Sequence, residues 1–213
     1  MVREPEAVGP IGSRAAIVLV GGRSTRLGRD KAQEPLLGRP LLQWAIRPLD
    51  PLVDSFLLVR AAGQPLPELE AGKPVEVAED LYPEAGPLGG IYTGLHYARA
   101  EHSVVVACDM PLVAPALVEE LFRLAREVDV VMPLGEEFPE PLCAVYGRAC
   151  LPAIRDQLER GRLKITGFLG AVRVRYLRQE EWRPLDPEGL SFFNVNTEED
   201  LRRAEDILRG RGS

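Results

Sequence analysis

Cysteine is scarce in this sequence: Cys108, Cys143 and Cys150 are the only three among 213 residues. An odd number at wide spacing, with no Cys-x-x-Cys pair, excludes a disulfide framework and a thiolate zinc site. It points to reduced thiols and a cytoplasmic protein. Histidine is scarcer still. His96 and His102 fall near the end of a predicted helix and read as surface residues rather than ligands or bases. No apolar run approaches the roughly 20 residues that span a bilayer, so no membrane association is expected. Residues 1–13 lack the apolar core of a signal peptide. With their Pro, Gly and charges, residues 1–14 read as a flexible tail. Cationic charge is not in excess either. The formal net charge of −6 argues against a nucleic-acid partner. Repeats and low-complexity tracts are missing. What remains is a 46% hydrophobic chain with ample material for a core, of a length that suits one domain over residues 15–213.

The most informative stretch lies near the start. Residues 15–20 form a short apolar run rich in β-branched side chains, which reads as a buried parallel strand. It ends in Gly21 and Gly22, and Arg23, Arg26, Arg29 and Lys31 follow. Paired glycines let backbone N–H groups approach a ligand closely, and the cations neutralise charge, so the loop suits a polyphosphate. A Walker A loop is excluded, because five residues separate Gly22 from Gly28 and Arg29-Asp30 follows. The Rossmann Gly-x-Gly-x-x-Gly pattern is excluded because Gly21 and Gly22 are adjacent. The alternative is an ordinary surface turn with solvated arginines.

Strand and helix patterns alternate through the first two thirds. Strands are expected at 56–59, 75–78, 103–107 and 130–132, and helices at 40–46, 91–100 and 115–127. Residues 62–72 and 82–90 are Pro/Gly-rich and read as loops. This alternation predicts an α/β fold: a single three-layer α/β/α domain with a mainly parallel, Rossmann-like sheet. Ligands in such folds bind beyond the carboxyl ends of the strands. The Gly21 loop, Asp80, the segment from Gly86 through Leu88 to Gly90, and Asp109 all follow strand ends and should converge on one edge. The last third is less regular. Strands are expected at 140–146 and 172–176, a helix at 149–160, a basic turn at 161–164, and a final helix capped by Thr197 and Asp200. Asp109 ends an all-apolar strand. It is either a Mg²⁺ ligand, since Mg²⁺ often takes only one or two carboxylates beside phosphates and waters, or the cap of the following helix.

The stretch Leu19-Val20-Gly21-Gly22-Arg23-Ser24-Thr25-Arg26-Leu27-Gly28-Arg29-Asp30-Lys31 resembles the signature of nucleotidyltransferases that activate a phosphorylated acceptor with an NTP. Its Gly-Gly form with a terminal Asp-Lys is most similar to the molybdenum cofactor guanylyltransferase (MobA) family, over about residues 15–208. Val20 and Leu27 stand where the family usually has Ala and Met. Many members also carry an Asn where this sequence reads Val59-Arg60-Ala61-Ala62. The resemblance implies transfer of GMP from GTP to the terminal phosphate of molybdopterin, with Mg²⁺ as cofactor. GTP and molybdopterin would be the partners, together with a molybdoenzyme or maturation protein. It implies that Leu19, Val20 and Gly21 line the base and that Asp80 contacts the guanine nucleotide. Gly86 and Leu88 would lie beside the nucleotide. Gly21, Gly22 and Arg26 would hold the outer phosphates, Lys31 would act at the α-phosphate, and Asp109 would hold Mg²⁺. Asn194 and Asn196 match an Asn-Val-Asn-Thr motif; they either bind metal or acceptor or satisfy backbone groups in a turn. Arg160, Arg162 and Lys164 are candidates for the acceptor phosphate, while Arg173 and Arg175 fit a solvated face. The nucleotide part would span about 15–133 and the acceptor part about 134–213. A cytidylyltransferase for molybdopterin, a sugar-1-phosphate guanylyltransferase and a non-catalytic cofactor carrier are the alternatives.

Overall fold

The centre of the fold is strand β1 (Arg14–Leu19), whose apolar residues alternate between two buried faces. The structure is a computed structural model that describes residues 13–20 and 30–211. Gly21, Gly22 and Arg26 lie outside the described residues, as does most of the 1–14 tail. A strand hydrogen-bonded on both sides and covered on both faces must be apolar throughout. Accordingly β1 pairs in parallel with β4 (Ser55–Arg60) and β6 (His102–Ala107).

Between β1 and β4 lie the two-residue strands β2 (Pro35–Leu36) and β3 (Arg39–Pro40) and helix α1 (Leu41–Ile46). Leu37 and Gly38 both have positive φ in the tight turn joining β2 to β3, as such two-residue hairpin turns require. The remaining strands are β5 (Val75–Glu79), β7 (Val130–Pro133), β8 (Cys143–Gly147) and β9 (Val174–Leu177). The remaining helices are α2 (Pro87–Tyr97), α3 (Pro115–Leu124), α4 (Leu151–Glu159), α5 (Gln179–Trp182) and α6 (Glu198–Arg211). The seven-stranded sheet runs β5-β4-β1-β6-β8-β7-β9, and only β8 opposes its neighbours. The expected mainly parallel α/β sandwich is therefore present.

The two sheet faces bury different residues of the same strands. Ile17 and Leu19 face α2 and share one buried cluster with its Leu88, Ile91 and Leu95 and with Ile154 and Leu158 of α4. Val18 and Val20 belong to one buried cluster with Leu42 and Ile46 of α1, Leu117 and Leu121 of α3 and Trp182 of α5. Each such aliphatic side chain, taken from water, stabilises the fold by about 1.5–3 kcal/mol before entropy is charged against it. Helix α6 closes a smaller cluster of Leu36, Leu41, Val195 and Ala204.

Several local expectations are corrected. The segment 86–90 is not all loop: Pro87 opens α2, so Leu88, Gly89 and Gly90 are helical. Proline at the first helical position lacks an N–H that would have no partner there. Gly86, at φ +58°, turns the chain into the helix. Composition suggested a loop, but the glycines serve close packing: a Cβ on Gly90 would meet Leu19 at 3.1 Å, and one on Gly89 would meet the Tyr82 carbonyl at 2.4 Å. The strand expected from residue 140 begins only at Cys143, because residues 134–142 cross from β7 to the antiparallel β8. The strand expected at 172–176 is β9 at Val174–Leu177, and His102 opens β6 rather than ending a helix. His96 is exposed, and all three cysteines are free and buried.

Candidate active site

Parallel pairing puts the ends of β1, β4, β5 and β6 on one edge of the sheet, and the polar residues there come from far apart in the chain. Lys31 opens the short 3₁₀ turn Lys31–Gln33, which Asp30 caps by accepting from the Ala32 N–H at 3.1 Å. Asp109 follows β6 by two residues. The Lys31 Nζ donates to Asp109 Oδ2 at 2.8 Å and to Asn196 Oδ1 at 2.6 Å. Both charged side chains are only about 15% exposed, at 14% and 15%. The Val195 N–H donates to the Asp109 carbonyl at 2.9 Å, which ties the segment before α6 to the end of β6.

Asp109 does not cap α3. The helix starts after Ala114, which has no side-chain cap, and the Ala114 N–H is taken by Ser191 Oγ at 2.8 Å. The second oxygen, Asp109 Oδ1, is buried with no hydrogen-bond partner among the described residues. A buried carboxylate oxygen left without a donor is costly, so it calls for a cation or donor from a ligand. Among the described residues no three acidic, cysteine or histidine side chains cluster to enclose a metal. The donor set therefore fits a cation that takes one carboxylate and completes its shell with phosphates and waters, as Mg²⁺ does.

The two asparagines part company. Asn196 faces Lys31, whereas the Asn194 amide donates to the Phe192 carbonyl at 3.1 Å and so serves the turn itself. Asp80 is half-buried beyond β5. Its Oδ1 accepts from the Tyr82 N–H at 3.0 Å and from Thr93 Oγ1 at 2.8 Å, which holds the turn into α2. The side chains of Leu19, Val20 and Leu88 are all in the core. Only their backbone, not the bulk of Val20, could meet a base. Arg162 and Lys164 are exposed in the turn after α4, beside a groove lined by Leu81, Tyr82 and Leu163. Among the described residues, neither side chain is hydrogen-bonded or ion-paired to Asp109 or Asn196.

Sequence reasoning missed Gln64. Its amide donates to the Asp30 carboxylate at 3.0 Å and to the Val20 carbonyl at 3.4 Å. It thus holds both flanks of the segment 21–29. Arg60 donates to the Gln64 carbonyl at 2.7 Å and pairs with Glu79 at 3.3 Å, so it supports Gln64 rather than facing a ligand directly. The place of Gln64 a few residues past a strand end is too common a feature to have marked it. The cysteine beside the site is buried, and that burial pushes the Cys108 thiol above its usual range, which disfavours the reactive thiolate.

The family model for the MobA-like NTP transferase domain matches residues 16–174. The chain belongs to that family. Among curated relatives of this MobA-like chain, the molybdenum cofactor guanylyltransferase of Desulfosudis oleivorans is 36% identical, covering 91% of this chain and 95% of its own. A probable molybdenum cofactor guanylyltransferase of Methanosarcina acetivorans is 38% identical over 89% and 88%. Among solved structures, molybdopterin-guanine dinucleotide biosynthesis protein A from Archaeoglobus fulgidus superposes with a TM-score of 0.76. It is 30% identical and covers 92% of this chain and 99% of its own. The 2-C-methyl-D-erythritol 4-phosphate cytidylyltransferase of Thermus thermophilus shares the fold at a TM-score of 0.67 and 17% identity, over 91% and 98%. The family is one of nucleotidyltransferases, and no described helix of this MobA-like chain is long and apolar enough to cross a membrane.

Proposed function

We propose that this chain transfers GMP from GTP to the terminal phosphate of molybdopterin, giving the guanine dinucleotide form of the cofactor and pyrophosphate. The observation that carries this reading is the Lys31–Asp109–Asn196 cluster at the carboxyl edge of the sheet, with Asp109 Oδ1 unpartnered among the described residues. An oxygen of the acceptor phosphate attacks the α-phosphorus of GTP. The bond from that phosphorus to the bridging oxygen breaks, and the electron pair leaves with pyrophosphate. The attacking oxygen is already anionic, so no general base is needed, and catalysis rests on positioning and charge neutralisation.

Lys31 neutralises charge at the α-phosphate, and Asn196 keeps its ammonium in place. Asp109 would hold Mg²⁺, which when bound supplies positive charge to the phosphates and the departing pyrophosphate. The backbone at Leu19 and Val20 lines the base, with Asp80 contacting the nucleotide through its unused oxygen and Gly86 and Leu88 shaping the turn beside it. Gly21, Gly22 and Arg26, outside the described residues, are proposed for the outer phosphates on sequence alone. Arg162 and Lys164 remain candidates for the acceptor. On this reading residues 15–133 bind the nucleotide, residues 134–213 bind the acceptor, the protein works in the cytoplasm, and it hands its product to a molybdoenzyme or maturation protein.

Pyrophosphate release tests the reading. Mg²⁺-dependent release is expected with GTP plus molybdopterin, and not with GTP alone. A preference for CTP would overturn the base assignment. Tight GTP binding without release in the presence of acceptor would overturn the enzymatic one.

A further inference from the structure

At the far half of the same sheet edge, a cavity of about 420 Å³ opens between the β7–β8 connection and the segment after β9. Its lining is part aromatic, from Phe138, Trp182 and Phe192, and part charged, from four glutamates and Arg183. Trp182 and Phe192 meet edge to face with ring centroids 5.1 Å apart, and the Trp182 indole N–H is anchored on the Leu134 carbonyl at 2.8 Å. Phe138 is 72% exposed on the connection. A large aromatic ring left in water beside a cavity marks a contact surface rather than a core.

Glu137 and Glu188 also line the cavity, at its exposed rim, and Glu140 supplies its half-buried carboxylate. It is half-buried, and its side chain makes no hydrogen bond or ion pair among the described residues. It lies so close to Gly135 that a Cβ there would come within 2.5 Å of Oε1, so the glycine leaves it room. Desolvation raises its pKa, with no cation to offset the cost. The nearby Arg183 is paired with Glu136 at 3.3 Å. A carboxylate without a partner among the described residues, beside aromatic rings, is matched by a flat heterocycle with two adjacent N–H donors on one edge, because a carboxylate accepts two such bonds side by side. A 2-amino-4-oxopyrimidine ring has that edge. Guanine and pterin both carry it.

Position separates the two. The β1, β4 and β5 ends, where the nucleotide is placed, lie on the other side of β6 from this cavity. The connection leaves β7, two strands from β6, or about 10 Å in the plane of the sheet. Phe192 is three residues from Val195, whose N–H bonds the Asp109 carbonyl, so their Cα atoms are at most about 11 Å apart. A fused-ring pterin with a phosphate arm bridges such a gap.

We propose that this cavity binds the pterin ring of the acceptor, with Glu140 accepting from the 2-amino group and N3–H and with Phe138 covering the ring, while the phosphate arm extends toward Asp109 and Lys31. The assignment rests on the acceptor named above. Glu140→Gln keeps the shape and replaces one acceptor oxygen with a donor. In pyrophosphate release it should raise KM for molybdopterin roughly 10-fold to 100-fold. KM for GTP should stay within about twofold, since the nucleotide binds elsewhere. Glu140→Asp should recover part of the loss. Binding of 6-hydroxymethylpterin, followed by quenching of its fluorescence, should be seen with the unaltered protein and weakened in Glu140→Gln and Phe138→Ala. An unchanged KM for molybdopterin, or a raised KM for GTP, would overturn the proposal. If no nucleotide is turned over with any acceptor, the functional reading fails, and pterin quenching that depends on Glu140 still decides what the cavity binds.

Discussion

Lys31 shows how one side chain can join three parts of the chain. Its ammonium satisfies Asp109 and Asn196 together, in surroundings that admit little water. Lys31→Met keeps the side-chain length and removes the charge. Loss of one preorganised donor to developing phosphate charge commonly lowers turnover on the order of 10²–10³-fold, and that is the expected fall in pyrophosphate release. The variant also strands a mostly buried carboxylate, so a lowered melting temperature should accompany it. Asp109→Asn separates the two effects, because its amide oxygen can still accept from Lys31. Activity should drop as far while the melting temperature stays closer to the parent. A variant Asp109→Asn with near-normal turnover would remove Asp109 from the mechanism. Both residues were legible in the sequence because each sits just past an apolar strand or a Gly-rich loop, at positions the sheet must carry to one edge. Gln64 was not legible. Its bonds reach back 44 and 34 residues, and nothing local marks a loop amide that will do so.

Helix α2 was half legible, and the error has a physical cause. Proline and glycines usually punctuate loops, yet here proline starts the helix and the glycines let it press on β1. Gly94 is the most constrained of them: a Cβ would fall 2.3 Å from Ile17 Cγ2, in the centre of the sheet. Gly94→Ala gains about 1 kcal/mol in helix propensity but overpacks a site that cannot yield, at a cost of typically 1–3 kcal/mol. Its melting temperature should fall. Gly210→Ala in α6 meets nothing within 4 Å, so thermal melts should show no loss there, and a small gain. Equal shifts in the two variants would contradict the close packing. The hairpin of β2 and β3 and the short α5 escaped the sequence reading for another reason: two-residue strands and a single helical turn are too short to show a period.

Across the whole molecule, arginine–carboxylate pairs make stability depend on acid. Arg173 donates to Asp129 from its guanidinium and from its backbone, and this holds the Asp129 carboxyl below its ordinary value of 3.8. A hydrogen bond from Arg14 acts likewise on Glu119. A group lowered on folding adds stability above its unfolded pKa and loses it as pH falls through the folded value. Glu140, raised by burial, acts in the opposite sense and offsets a little of this in acid. Urea unfolding should therefore show lower stability at pH 3 than at pH 7. Asp129→Asn should narrow that difference, since both ends of its β7–β9 bridge would then be insensitive to pH; an unchanged difference would assign the acid loss elsewhere. The wide spacing of the site has a last consequence. The bonds from Lys31 span 78 residues to Asp109 and 165 to Asn196, and both need the intervening strands in register. If Lys31 and Asn196 act as proposed, competence for chemistry is a certificate of assembly: a chain whose final segment has strayed brings no Asn196 to Lys31 and would turn over no nucleotide.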